Sequence, residues 1–323
     1  NFFNGTENYI IPRKHKHGYD TFRRFHLIPK LIKKLKPDVV IEPCHIGPFG
    51  LPRGIKRVTI IHDLTPVLFP KFHIPKSVLV HRLFLKSIIK NADLIITPSQ
   101  NTKNDILNYC STKAEIAVIP EGVNHLKLSQ EPRKTLAKFG IKKPFLLFLG
   151  TIEPRKNLNV LIQAFTELKK EHNISHQLIL AGGLGWKVEK TLEEAKKHKD
   201  IILTDFISED EKSALYQECD IFVYPSLYEG FGLPPLEAMS FGKPTIISTG
   251  GALKEIPESA ALHFPPEDKN KLKLLILKLI NDPSAKTALS EKALIFAKNF
   301  TWSKTAETLL TFLCKVVKSF SGR

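Results

Sequence analysis

The sequence predicts an α/β protein of two Rossmann-like domains facing one crevice, on three observations. Short apolar runs alternate with amphipathic stretches along almost the whole chain, the pattern of parallel strands covered by helices. That alternation breaks at 124–144, a polar and basic segment with no strand of its own, which reads as an interdomain linker carrying a short helix. The 323 residues also exceed what one hydrophobic core usually serves.

In the first half, strands are expected at 38–43 (DVVIEP), 57–64 (RVTIIHDL), 93–99 (DLIITPS) and 115–122 (EIAVIPEG), with helices at 24–36, 76–91 and 100–110. The second half repeats the scheme with strands at 144–151, 176–183, 201–206, 221–226, 244–249 and 260–264. Helices fall between them at 157–172, 186–198, 209–219 and 234–241, then at 267–281, 284–298 and 302–318. In such sheets ligands sit where the C-terminal ends of the strands face the crevice, so residues just after the strands are the ones to inspect.

Composition narrows the function classes. The net charge of +16 is lopsided: residues 1–140 hold 23 Lys and Arg against 10 Asp and Glu. Much of the excess lies in 12–37, where Phe25, Leu27, Ile28, Leu31, Ile32 and Leu35 suit a helix with a basic flank. That pattern fits an anionic membrane surface or a polyanionic substrate, and equally a core-packed helix with solvated lysines. No nucleic-acid motif accompanies the charge, so nucleic acid is not an expected partner. Cys44, Cys110, Cys219 and Cys314 are far apart and form no metal-ligand spacing, which points to reduced thiols, no bound metal and a cytoplasmic location. No apolar run reaches the ~18 residues of a membrane span. The chain opens at Asn1 with neither an initiator Met nor a signal-peptide pattern, as a fragment of a longer protein would.

Two segments concentrate chemistry. In FLGTIEPRKNLNVLIQAF (148–165) a strand ends at Gly150, a short loop carries Arg155 and Lys156, and a helix begins near Asn157. Cations at a helix N-terminus suit a diphosphate, because the unpaired N–H groups and the macrodipole already favour an anion there. A solvated loop with Asn157 capping the helix fits the same residues. In YPSLYEGFGLPPLEAMSFGKP (224–244), Gly230 and Gly232 permit positive φ and close backbone approach, and Pro234 and Pro235 suit a first helical turn. Glu229 falls in the loop and Glu237 in the helix's first turn. Glu237 could accept from a ribose diol and Glu229 from sugar hydroxyls. A dipole-stabilised acid and a solvated acid are the plain alternatives. His62 follows the strand 57–64 at the same mouth, next to Asp63, which could simply cap a turn. Neither a P-loop, a GxSxG elbow nor an HExxH metal motif is present.

Taken together, TIIHDL (59–64), IPEGV (119–123), GTIEPRKNL (150–158), AGGLGW (181–186), the 224–244 segment and FTWSKTAETLL (300–310) resemble a family 4 glycosyltransferase of the GT-B fold. The match runs in order from about 37 to about 310, and the two acids of EGFGLPPLE are its most specific element. The resemblance implies domains at 1–125 and 126–301, with the helix 302–323 returning to the first. It implies retaining transfer of a hexose from a nucleotide diphosphate sugar to a glycan or lipid-linked acceptor, with no metal and no cofactor beyond the substrate. Arg155 and Lys156 match the cations on the donor diphosphate, Glu237 the acid on the nucleotide ribose, and Glu229 the acid near the donor sugar. His62 matches the histidine reaching that sugar from the first domain, while Gly150 and the backbone of Gly230, Phe231, Gly232 and Leu233 would line the donor. In such enzymes the departing phosphate takes the acceptor's proton, so no protein base is expected. The GTIEPRKN loop is similar to mannosyltransferase-like members, which makes a GDP-sugar the first expectation and a UDP-sugar the second.

Residues 1–36 match nothing of the glycine-rich first unit usual in the family, as if about 40 to 60 residues were absent. Asp205 and Ser259 stand where the family commonly has glycine. A non-catalytic sugar-nucleotide binder and a GT-B UDP-sugar epimerase are the alternative functions.

Overall fold

The computed structural model describes residues 19–44, 47, 50–52, 54–124 and 127–321. Residues 12–18 of the basic stretch, the start of the first domain, and the last two residues of 302–323 lie outside the described residues.

Both expected sheets are present and wholly parallel. The first contains β1 (Val39–Glu42), β2 (Lys56–Ile60), β3 (Leu94–Thr97) and β4 (Glu115–Val118) in the order β1-β2-β3-β4. Val58 pairs with Leu94, and Leu94 with Glu115. The second contains β5 (Phe145–Leu149), β6 (Gln177–Ala181), β7 (Ile201–Leu203), β8 (Ile221–Tyr224), β9 (Thr245–Ser248) and β10 (Leu262–Phe264) in the order β10-β9-β8-β5-β6-β7. Strand order therefore reverses at β5, which pairs with β6 on one side and β8 on the other. The loops after β5 and β8 diverge there and leave a crevice between them.

The strands read as unbroken apolar runs because helices cover both faces of each sheet. All of Phe145–Leu149 is buried. In the first sheet, side-chain alternation sends Ile95 and Ile116 to one face, where Ile61, Leu85, Ile89 and Ile106 pack on them. Leu94, Ile96 and Ala117 go to the other face. There the last helix, Trp302–Ser321, lays Leu309, Phe312, Leu313 and Val316 across the sheet, so the chain's end returns to the first domain.

The structure adds elements that patterning does not predict. The expected helix 24–36 begins at Tyr19–Phe22, continues as a π-helical turn at Arg23–Leu27 and resumes as Ile28–Leu35, ending on Lys36 in the left-handed region. A short helix at Thr65–Leu68 and 3-10 turns at Pro70–Phe72, Pro154–Lys156 and Ala252–Glu255 fill loops. The short helix expected in 124–144 is Pro132–Lys138, and its Leu136 packs into the core of the second sheet. On one side of the first domain the helix Pro75–Asn91 exposes Lys76, Leu79, Arg82, Leu83, Lys86 and Lys90, and it carries no acid. Its Phe84 meets Phe25 edge-on at 5.7 Å, which sets the exposed Phe22, Lys30, Lys33 and Lys34 of the first helical segment beside it. Among the described residues no helix is long and apolar enough to cross a membrane.

Candidate active site

A cleft of about 580 Å³ opens at the strand-order reversal and is closed on its far side by the first domain. His62, Gly150, Arg155, Lys156, Glu229, Gly230, Phe231, Gly232 and Leu233 all line it. Of the residues expected to hold the donor, Glu237 does not.

Arg155 and Lys156 lie on the 3-10 turn after β5 and converge on Glu229 from the loop after β8. Lys156 Nζ is 2.6 Å from Glu229 Oε1, and Arg155 Nη1 is 2.7 Å from Oε2. Lys156 also donates to the Tyr224 hydroxyl at 2.7 Å, and its ammonium stands 5.0 Å from that ring's centroid. Arg155 reaches Glu153 at 2.6 Å and the Tyr228 carbonyl at 2.8 Å. Ser226 adds a hydroxyl donor to Glu229. Burial by itself would raise the Glu229 pKa, but the Lys156 and Arg155 charges override it and hold the carboxyl at about 2. Glu229 is therefore a buried acceptor, ionised at neutral pH, rather than a solvated loop acid.

Asn157 does not cap the helix that follows. It sits at φ 55, and its amide donates to the carbonyls of Pro225 (3.2 Å) and Pro266 (2.7 Å), stitching the cation turn to the loops after β8 and β10. The two glycines divide their expected uses. Gly232 supplies the positive φ (116°) that starts the helix Leu233–Ser240. At Gly230 a Cβ would fall 2.1 Å from the His62 carbonyl, so the absence of a side chain lets the two domains meet. Because Pro234 and Pro235 have no N–H, the donors at this helix start reduce to Gly232 and Leu233.

His62 faces this loop from beyond β2. Its Nδ1 is 2.7 Å from Glu121 Oε1 and its Nε2 is 3.0 Å from the Pro43 carbonyl, so both ring nitrogens meet acceptors. The hydrogen bond to the Glu121 carboxylate favours the imidazolium and raises the His62 pKa, against burial, which lowers it. Asp63 does cap a turn, accepting from Thr65 N (2.8 Å) and Thr65 Oγ1 (2.6 Å).

Glu237 falls in the second turn of its helix, not the first, which removes the helix-start dipole as its explanation. Its carboxylate accepts from Tyr216 at 2.9 Å and from Lys212 at 3.2 Å. Glu121, Glu153, Tyr224 and Trp186 line the cleft and were not singled out from sequence, although three of them stand inside the IPEGV, GTIEPRKNL and AGGLGW motifs. Their signal was the motif, and their part in it is a matter of tertiary contact. Among the described residues no group of three or more His, Cys, Asp or Glu is placed to hold a metal ion.

The profile of the family "Glycosyl transferases group 1" matches residues 132–296, and that of "Glycosyltransferase Family 4" matches residues 5–125. The O-antigen chain mannosyltransferase B of Escherichia coli is 31% identical over 274 residues, covering 81% of this chain and 72% of that protein. The serotype-specific mannosyltransferase WbdA of the same species is 29% identical over 82% of this chain, which spans 34% of WbdA's length. Among solved structures, the HepE protein of Anabaena in complex with UDP and glucose superposes with a TM-score of 0.74 at 18% identity, over 90% of this chain and 81% of that one.

Proposed function

This chain belongs to the glycosyl transferases group 1 family and is a nucleotide-sugar-dependent glycosyltransferase, and on that premise we propose that it moves a mannosyl group from a nucleotide diphosphate sugar to a glycan or lipid-linked acceptor hydroxyl. A GDP-sugar is the first choice of donor and a UDP-sugar the second. Mannose rests on the names of the E. coli relatives, which are mannosyltransferases.

The observation that carries the reading is the triad of half-buried Arg155 with buried Lys156 and Glu229 at the strand-order reversal, opposite His62. Arg155 and Lys156 share Glu229, Arg155 also pairs with Glu153, and Arg155 Nε is left buried with no hydrogen-bond partner among the described residues. A donor diphosphate would take up that spare capacity. As the sugar–phosphate bond breaks, charge grows on the departing diphosphate, where fixed guanidinium and ammonium groups stabilise it more than they do the ground state. The backbone N–H groups of Gly232 and Leu233 add donors without a side chain. Glu229, ionised down to about pH 2, is no proton donor at neutral pH; it accepts from hydroxyls of the donor sugar. His62 stands on the opposite wall with its ring nitrogens on Glu121 and the Pro43 carbonyl, and in this scheme Nε2 exchanges Pro43 for a sugar hydroxyl. Glu237 takes the ribose diol in this scheme by exchanging Lys212 and Tyr216 for ribose hydroxyls. No metal, cofactor or protein base is assigned, and the departing phosphate receives the acceptor's proton with retention at the anomeric carbon.

The acceptor side belongs to the first domain. A lipid-linked acceptor would lie at an anionic membrane surface on the cytoplasmic side, met by the basic face of Pro75–Asn91 and Tyr19–Leu35.

Titration calorimetry with GDP and UDP tests the donor site. The Arg155→Ala, Lys156→Ala, Glu237→Ala triple variant is expected to lose at least about 100-fold in affinity, since hydrogen bonds to charged groups contribute about 1.5–3 kcal/mol each. An unchanged affinity overturns the assignment. Transfer of radiolabelled mannose by the wild type separates an enzyme from a non-catalytic binder.

A further inference from the structure

Tyr228, the residue before Glu229, belongs to the second domain by chain position, yet its side chain is held by the first. Its hydroxyl donates to the Asp105 carboxylate and accepts from the Asn101 amide at 2.9 Å, and its ring lies 4.9 Å from that of Phe69. Asn101 and Asp105 both stand on the helix Gln100–Tyr109, and the Asn101 amide also reaches Asp105 at 2.9 Å. The same helix start makes further contacts across the domain boundary. Ser99 Oγ donates to the Gly230 carbonyl at 2.6 Å, with Thr102 Oγ1 at 3.2 Å from the same oxygen. The Glu255 carboxylate of the second domain accepts from the backbone N–H groups of Gln100 (3.2 Å) and Asn101 (2.6 Å). A second-domain acid thus occupies donors that an isolated helix would leave to solvent.

The main chain of Tyr228 faces the other way, its carbonyl accepting from Arg155 Nη1 at 2.8 Å. One residue therefore touches the first domain with its side chain and a cleft cation with its backbone. We propose that Tyr228 is a positioning residue that couples approach of the two domains to placement of Arg155, and that Glu255 on the Gln100–Tyr109 helix is the second point of the same fastening. When the domains part, the loop 228–230 loses its anchors on Ser99, Asn101, Thr102 and Asp105, and the carbonyl that aims Arg155 is released. The significance of Arg155 rests on the sugar-transfer reading above; the fastening itself does not.

Two measurements on the full chain keep these apart. Tyr228→Phe deletes only the hydroxyl and keeps the ring against Phe69, and Glu255→Gln removes the charge at the helix start. In nucleotide-free protein both variants should speed amide hydrogen exchange in 99–102 and 228–230 together by roughly 2- to 10-fold, the range that loss of one hydrogen bond gives. Tyr228→Phe should also weaken binding of GDP or UDP by a similar factor, raising the donor KM more than it lowers kcat. Asp105→Asn retains an acceptor for the hydroxyl and should lie nearer wild type than Asp105→Ala. Unchanged exchange in both segments refutes the fastening. Faster exchange with wild-type nucleotide affinity refutes the positioning role and leaves the sugar-transfer reading standing. A wild type that binds neither nucleotide overturns the role given to Arg155, while the exchange result still decides the fastening.

Discussion

Glu229 is the residue on which the site's electrostatics turn. It is 8% exposed and holds the buried Lys156 and the half-buried Arg155, so its own desolvation is offset only because both partners lie within 2.7 Å. Glu229→Gln keeps the volume, removes the charge and strands the Lys156 ammonium beside a phenol. Such a half-removed buried pair typically costs about 3–5 kcal/mol, readable as a drop in urea midpoint. The pH dependence has a definite sign. The carboxyl falls from its ordinary 4.5 to about 2 on folding, so its contribution is complete above pH 4.5 and is lost as pH falls toward 2. The wild type should lose about 3 kcal/mol over that window that Glu229→Gln does not lose, and parallel acid profiles for the two proteins would count against the triad. The identity of Glu229 was readable from its motif, but its pairing was not, because Arg155 and Lys156 are more than 70 positions away in the chain.

At the scale of elements, backbone conformation separates what a motif dictates from what it tolerates. Asp205 follows β7 at φ 55, and its carbonyl accepts from Gly182 N at 3.2 Å. The family-like glycine preference at this position therefore reflects a left-handed turn, which Asp tolerates better than most residues. Asp205→Gly should leave the unfolding midpoint within about 0.5 kcal/mol of wild type, whereas Asp205→Ala should cost about 1 kcal/mol. A neutral alanine variant would show that the turn relaxes. The long helices and the buried strands follow directly from apolar periodicity, which one segment carries in full. The π-helical turn at Arg23–Leu27 and the short helix Thr65–Leu68 have no such signature. They are settled by what they pack against.

For the whole molecule, charge asymmetry becomes geometry. Lys76, Arg82, Lys86 and Lys90 share an exposed helix surface with Leu79 (58% exposed) and Leu83 (63%), a combination suited to lipid headgroups with shallow apolar insertion. Co-sedimentation with vesicles containing phosphatidylserine should retain the protein at low salt and release it as salt rises. The Lys76→Glu, Lys86→Glu, Lys90→Glu variant should stay in solution, each lysine near such a surface contributing about 1 kcal/mol. Equal binding to neutral vesicles, or none to anionic ones, would refute the membrane face. The sequence by itself determined two tandem parallel sheets, because apolar periodicity is a local property of the chain, while the family resemblance named nine of the residues that line the cleft. Only the tertiary structure decided that Arg155 and Lys156 neutralise Glu229, that Glu237 answers to Lys212 and Tyr216, and that Tyr228 reaches into the other domain. Those are contacts between segments distant in the chain, the first of them made where strand order reverses at β5 and the loops after β5 and β8 meet, and no local pattern encodes which partners come together.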